Sequence, residues 1–259
     1  MAGLVWVAMT PPAGPRADQA PYADVANCSI LFGGEPIAAA HAAAAAGWSL
    51  VEFWWPFPVP DPAPAEIDAF AAGLDRAGVR LVAVNLWGGD LGAGERGVLH
   101  RADLPPGHLA ALRRLHGATG VAMGNLLPGA GGPEPTAAQE ARIAAVVEEV
   151  GDWFTPLLEP LSGDPRLPLR DPRAAAALAE RTGAGVLADL YHLAANGVDV
   201  DAWLGDLAAG RAAPPAHVQV ADAPGRGAPG TGAAPLGRWV RALRAAGYAG
   251  HVAAEWDPS

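Results

Sequence analysis

The chain contains no lysine; all 17 of its basic residues are arginine. Schiff-base chemistry on a lysine amine is therefore excluded. Together with the excess of alanine, glycine and proline, the lysine gap reads as codon bias in a GC-rich genome. Cysteine is nearly absent too. Cys28 is the single example, so no internal disulfide can form, and the chain suits a reducing, cytoplasmic compartment. No apolar run approaches the ~18 residues of a membrane span. Residues 3–9 are apolar, but no basic region precedes them, so neither a signal peptide nor a membrane partner is expected. Positive charge is scarce as well: 17 basic against 27 acidic residues leave a net charge of −10. Such a balance disfavours nucleic acid as a partner.

What is present is enough apolar material for one large core, 51% of 259 residues. Short apolar runs alternate with stretches of helical period. The runs at residues 23–32 (ending near Asn27–Ser29), 50–53, 79–84, 121–123, 154–158, 185–188, 216–220 and 251–254 read as strands. Residues 35–46, 65–77, 109–119, 172–181, 200–207 and 236–246 read as helices. A further helix opens at Thr136, where Gln139 three positions on makes a capping box before an apolar run to Val150. Eight strands alternating with helices predict an α/β fold, a single (β/α)8 barrel, for which about 250 residues is typical. Residues 1–22 read as a tail or cover segment and residues 23–259 as the barrel. Only four residues follow Glu255, so the eighth helix is expected to be missing or truncated.

Four of the apolar runs stop on a polar oxygen-bearing side chain: Glu159, Asp189, Gln219 and Glu255. Their spacings, 30, 30 and 36 residues, each match about one strand-plus-helix unit. Parallel barrels carry their active sites at the C-terminal strand ends. Any one of these residues alone is best explained as a helix cap or an arginine partner. Four at successive strand ends are not, because three clustered carboxylates need compensation for buried charge. A divalent cation supplies it, and an all-oxygen ligand set points to Mg²⁺ or Mn²⁺ rather than structural zinc. Glu52 also ends a strand, and touching substrate is the weaker of its two readings. His217 shares a face with Gln219 and either lines the barrel interior or merely starts the strand. Trp54, Trp55 and Trp87 fall on loops at the same barrel face. They suit an apolar lid, or a subunit contact in a homo-oligomer.

Several segments carry a resemblance: GDLGAGERG (residues 89–97), LLEPL (157–161), ADLYH (188–192), HVQVADAPGRGAPGTG (217–232) and AEWDP (254–258). With these the chain resembles the hydroxypyruvate isomerase family of xylose isomerase-like barrels from about Asn27 to Pro258. The resemblance implies that Glu159, Asp189, Gln219 and Glu255 bind the metal, and that Glu159 and Glu255 are also the catalytic acid/base pair. It implies that His192 and Arg226 contact the oxygens of the substrate, and that Glu95 and Arg96 belong to a loop closing or rimming the site. The implied reaction interconverts hydroxypyruvate and 2-hydroxy-3-oxopropanoate through an enediolate. Arg226 and Arg96 are the candidates to grip a substrate carboxylate.

Departures from the family pattern fall around that set. Val84 stands where a histidine is usual, Ala233 where a glutamate is, and Asp257 where lysine is common. An intact metal set with a drifted periphery suits the same chemistry on a close hydroxy-oxo acid. Three alternatives stay open: a ketose 3-epimerase or sugar isomerase, a lyase or dehydratase using the same metal site, and a barrel kept only for binding.

Overall fold

The computed structural model of the chain describes residues 22–258. The tail or cover segment expected for residues 1–22 lies, Tyr22 apart, outside the described residues. Its elements run β1 (Val25–Asn27), α1 (Cys28–Leu31), α2 (Pro36–Ala45), β2 (Leu50–Phe53), α3 (Pro64–Ala77), β3 (Arg80–Val84), α4 (His108–Thr119), β4 (Met123–Asn125), α5 (Ala137–Val150), β5 (Thr155–Leu158), α6 (Pro172–Thr182), β6 (Gly185–Asp189), α7 (Leu190–Ala195), α8 (Val200–Ala208), β7 (His217–Val220), α9 (Leu236–Ala245) and β8 (Val252–Ala254). The sheet order is β3-β2-β1-β8-β7-β6-β5-β4, with parallel pairing throughout. The free edges, β3 and β4, meet where Leu86 N donates to Asn125 O at 2.8 Å. At this seam a Cβ on Gly124 would lie 1.9 Å from the Val84 carbonyl oxygen. Only glycine permits that approach. The result is a nearly closed TIM barrel, as the alternation of strands and helices predicts.

The helices begin and end for local reasons. Proline opens α2, α3 and α6, where its missing N–H costs nothing. Gly78, Gly120 and Gly183 end α3, α4 and α6 in the left-handed region. The capping box of Thr136 and Gln139 forms as expected. Ile143, Leu112 and Leu115, all fully buried, face the sheet from α5 and α4.

Strand alternation then loads the barrel interior in layers. Val25, Leu50, Val82 and Ala253 cluster in the lower layer. Two residues further on, on β1, β2 and just past β8, stand Asn27, Glu52 and Glu255. The same step leads from Leu157 to Glu159, from Leu187 to Asp189 and from His217 to Gln219. Polar ends therefore converge at the C-terminal mouth. On β3 the register against β2 shifts between Val51 and Glu52, and Asn85, just past the strand, faces the cavity there.

The structure fixes one strand end, revises one strand start and adds one helix. The first strand stops at Asn27, within the expected Asn27–Ser29 end, because the Asn27 side chain caps α1 by accepting from Ser29 N at 3.1 Å. The fourth strand starts at Met123 instead of Val121, since Val121 N is held by Thr119 Oγ1 and Val121 O by His116 Nδ1. Helix α7 was not foreseen. It follows β6 without a loop, and Asp189 caps it by accepting from Tyr191 N at 2.8 Å. After β8 no helix occurs among the described residues, in keeping with the short sequence left there. No helix among those residues is long and apolar enough to cross a membrane.

Candidate active site

A cavity of about 280 Å³ opens at the C-terminal mouth, lined among others by Trp54, Arg96, Glu159, His192, Arg226 and Glu255. Asp189 and Gln219 sit beneath it, 0% and 3% exposed, and pair in register on β6 and β7. The structure thus gathers the four strand-end residues with His192, Arg226 and Arg96. Glu95 faces its own loop: one carboxylate oxygen accepts from Asp90 N at 2.7 Å and the other pairs with Arg101. Arg96 donates to Leu91 O and Glu95 O, so the pair braces the rim together.

Glu159 and Asp189 are each held by one oxygen and left available on the other, whereas both Glu255 oxygens are engaged. Glu159 Oε2 accepts from the Asn125 amide, while Oε1 lies 3.9 Å from His192 Nε2. Glu255 Oε1 accepts from Asn27 Nδ2 at 3.1 Å and Trp54 Nε1 at 3.0 Å. Its Oε2 accepts from Arg226 at 2.7 Å. Asp189 serves two roles, one per oxygen. Oδ1 caps α7, and Oδ2 is buried without a hydrogen-bond donor. The Gln219 carbonyl Oε1 is likewise buried without one.

Electrostatics follow from this crowding. Burial, then Glu255 and Asp189, push the Glu159 carboxyl well above its ordinary value. Burial also raises Asp189, against the pull of Arg226. For Glu255, burial, with Asp189 and Glu52 adding, outweighs Arg226 and carries the carboxyl up to about 7. Burial works against the Arg226 charge, yet Glu255, Asp189 and Glu159 hold that guanidinium above its usual value. Burial, then Arg226, lowers His192 to about 4, so its ring is neutral near pH 7. His192 Nδ1 accepts from Ser162 N at 3.1 Å, which leaves the ring proton on Nε2, 3.6 Å from Asp189 Oδ2.

Unpaired buried acceptors beside crowded carboxylates are what a cation would relieve. Glu159, Asp189 and His192 each bring a potential ligand atom within 4.8 Å of the others. The two orphan oxygens, Asp189 Oδ2 and Gln219 Oε1, widen that set toward oxygen donors. The residues present fit a divalent metal.

Reading the sequence did not single out Asn125, Asp222 or Ser162, and left Asn27 only as a strand end. Asn27 and Asn125 end strands just as the four chosen residues do; that signal was legible. Asp222 binds the backbone N–H groups of Ala223, Gly230 and Ala234, folding the loop that carries Arg226. Arg226 itself sits in the left-handed region with φ 57°, and Asp257 N donates to its carbonyl at 2.7 Å. Glu52 and His217 lie inside the barrel, 2.6 Å apart, and not on the cavity wall. Trp54 lines the site, whereas Trp55 is tied into its loop by donating to Val59 O at 2.8 Å.

Comparison with known proteins places this geometry. A Streptomyces coelicolor protein named "Putative hydroxypyruvate isomerase" is 37% identical, covering 90% of this chain and 89% of the relative. Among solved structures, a family 2 AP endonuclease from Brucella melitensis superposes with a TM-score of 0.76 at 22% identity, over 91% of this chain and 93% of that one. A D-psicose 3-epimerase, solved in the presence of D-fructose, gives a TM-score of 0.67 at 16% identity, over 90% and 84%. At such identities the two structures share the fold. The xylose isomerase-like TIM barrel family matches residues 40–259, and with the mouth of the barrel built as described, the chain belongs to that family.

Proposed function

We propose that the protein is a metal-dependent aldose–ketose isomerase that interconverts hydroxypyruvate and 2-hydroxy-3-oxopropanoate, or a close hydroxy-oxo acid. The observation that carries this reading is the pair Glu159 and Glu255. Both are buried on one cavity, both are held well above ordinary carboxyl behaviour, and each is oriented by an amide from another strand. Two carboxylates facing one cavity can take a proton from one carbon and return it at the next. The Streptomyces coelicolor relative and the family support an isomerase acting on a small sugar or acid.

In this reading one of the two carboxylates removes the proton from the hydroxyl-bearing carbon. That carboxylate, or its partner, returns a proton at the neighbouring carbon. His192, with its proton on Nε2, donates toward the substrate oxygens, and the hydroxyl proton passes from one oxygen to the other. Arg226 and Arg96 face the same cavity and bind the substrate carboxylate. Glu159, Asp189, Gln219 and Glu255 would hold a Mg²⁺ or Mn²⁺ ion. When bound, such an ion acidifies the C–H bond and stabilises negative charge on the substrate oxygens. In the reaction itself Asp189 and Gln219 have no role beyond holding it.

A second reading, a ketose 3-epimerase, draws on one observation. A further cavity of about 520 Å³, lined by Trp55, Phe57 and Trp87, shares Asn85, Leu91 and Leu127 with the first. A longer carbon chain would have room there. Proton NMR in heavy water on the Mn²⁺- or Mg²⁺-loaded protein separates the two. Exchange and aldehyde formation with hydroxypyruvate supports the isomerase. No change with hydroxypyruvate, but exchange at C3 of free ketoses, favours the epimerase. Full activity in both Glu159→Gln and Glu255→Gln would sink either mechanism.

A further inference from the structure

A glutamine can offer a metal only its carbonyl oxygen. Its amide presents a donor and an acceptor one bond rotation apart, so something must choose which end faces the site. In this barrel the choice is made from below. Gln219 Nε2 donates to Glu52 Oε1 at 2.6 Å, and the carbonyl Oε1 is left buried without a partner. The same Glu52 oxygen accepts from Asn27 Nδ2 at 2.9 Å, and the other lies 2.6 Å from His217 Nε2. Asn27 is oriented in turn, because its carbonyl oxygen accepts from Ser29 N. Its Nδ2 is thereby aimed at Glu52 and, at 3.1 Å, at Glu255 Oε1. Glu52 is 2% exposed and absent from the cavity wall.

We propose that Glu52 is a positioning residue that fixes the Gln219 amide with its carbonyl oxygen toward the metal position. The inference rests on the metal-assisted reading above. It explains why a carboxylate lies inside the barrel below the site, where it touches no substrate. Its neighbours His217 and Asn27 are the clamp that keeps Glu52 in place. Outer groups that orient ligands commonly contribute 10- to 100-fold to metal affinity.

The test uses Mn²⁺ titrated calorimetrically into metal-stripped full-length protein. Glu52→Gln is expected to weaken Mn²⁺ binding roughly 10- to 100-fold, because either end of the new amide can satisfy either end of Gln219. The double variant Glu52→Gln with Gln219→Glu is expected to recover most of that affinity. A carboxylate at position 219 has no wrong end, and the amide at position 52 can donate to it. An unchanged Kd in Glu52→Gln, or a double variant binding no tighter than Glu52→Gln, overturns the inference alone. Failure of the wild type to bind Mn²⁺ overturns the metal reading and the inference with it.

A measurement on the wild type covers the case in which Glu52→Gln does not fold. The chain has three glutamines, Gln19, Gln139 and Gln219, so ¹⁵N-glutamine labelling gives three side-chain amide pairs. The Gln219 pair is identified by its loss in Gln219→Glu. It is expected to be protected from solvent exchange before metal is added, and to shift on binding Mg²⁺ without losing that protection. Rapid exchange of this pair in metal-free protein, or Mg²⁺ binding that leaves it unmoved, overturns the inference.

Discussion

Replacing Glu255 by glutamine keeps the shape of the side chain and removes its ability to ionise. In the metal-free fold the Glu255 carboxyl is held at about 7, against an ordinary value of 4.5. Ionising it therefore costs the folded state about 3 kcal/mol more than the unfolded one. The sign follows from the protons. Between pH 4.5 and 7 the native state binds more protons than the unfolded state, so this group's stability contribution is full below 4.5. It is lost as pH rises through 7. His108 and His192, held down to about 4 by burial, act the other way, adding stability as pH rises from 4 to 6.5. The His108 effect is shared and cancels in their difference; the His192 effect is set first by burial, which the variant keeps, with Glu255 contributing only a smaller opposing pull. In EDTA, Glu255→Gln is expected to gain on the wild type by about 3 kcal/mol between pH 4.5 and pH 8, or roughly 6 to 12 °C in melting temperature. Saturating Mn²⁺ should reverse the ranking at pH 8, because the wild type alone keeps the full ligand set. Circular-dichroism melts across pH with EDTA and with Mn²⁺ provide the assay. A wild type to variant difference that is flat with pH in EDTA would refute the account of a strained, poised carboxylate.

Three further outcomes are expected. Gly124→Ala places a methyl against the Val84 carbonyl at the β3–β4 seam and should cost about 3 kcal/mol in urea denaturation; a neutral effect would mean the barrel closes more loosely than described. Trp54→Phe removes the donor to Glu255 Oε1 and should lower kcat/KM roughly tenfold while leaving the melting temperature nearly unchanged. Arg181→Ala breaks a surface ion pair with Glu140 at 2.9 Å and should leave the melting temperature within error, because solvent screens both partners.

Much of the site was legible because it depends on local geometry. A strand alternates its faces every residue, so a polar side chain at the end of an apolar run points into the barrel mouth whenever its neighbour two back points into the core. That reasoning located Glu159, Asp189, Gln219 and Glu255, and applied evenly it would also have found Asn27 and Asn125. It placed the fourth strand two residues early, since Val121 looks like any other strand residue until the turn at Thr119 claims it. Helix α7 was hidden for a related reason. Asp189 both ends a strand and caps a helix, and a run such as Leu190–Ala195 has no period long enough to declare itself.

The sequence by itself determined the barrel and the identity of the polar groups at its mouth, because composition, strand period and unit spacing are properties of short stretches of chain. Only the tertiary structure decided which of their oxygens are engaged and which are free. Asn27 reaches Glu255 across 228 residues of chain, and Glu52 reaches His217 across 165. No local pattern encodes such pairings. They arise when eight strands close into one ring, which forces buried donors and acceptors to find one another and leaves Asp189 Oδ2 and Gln219 Oε1 without partners.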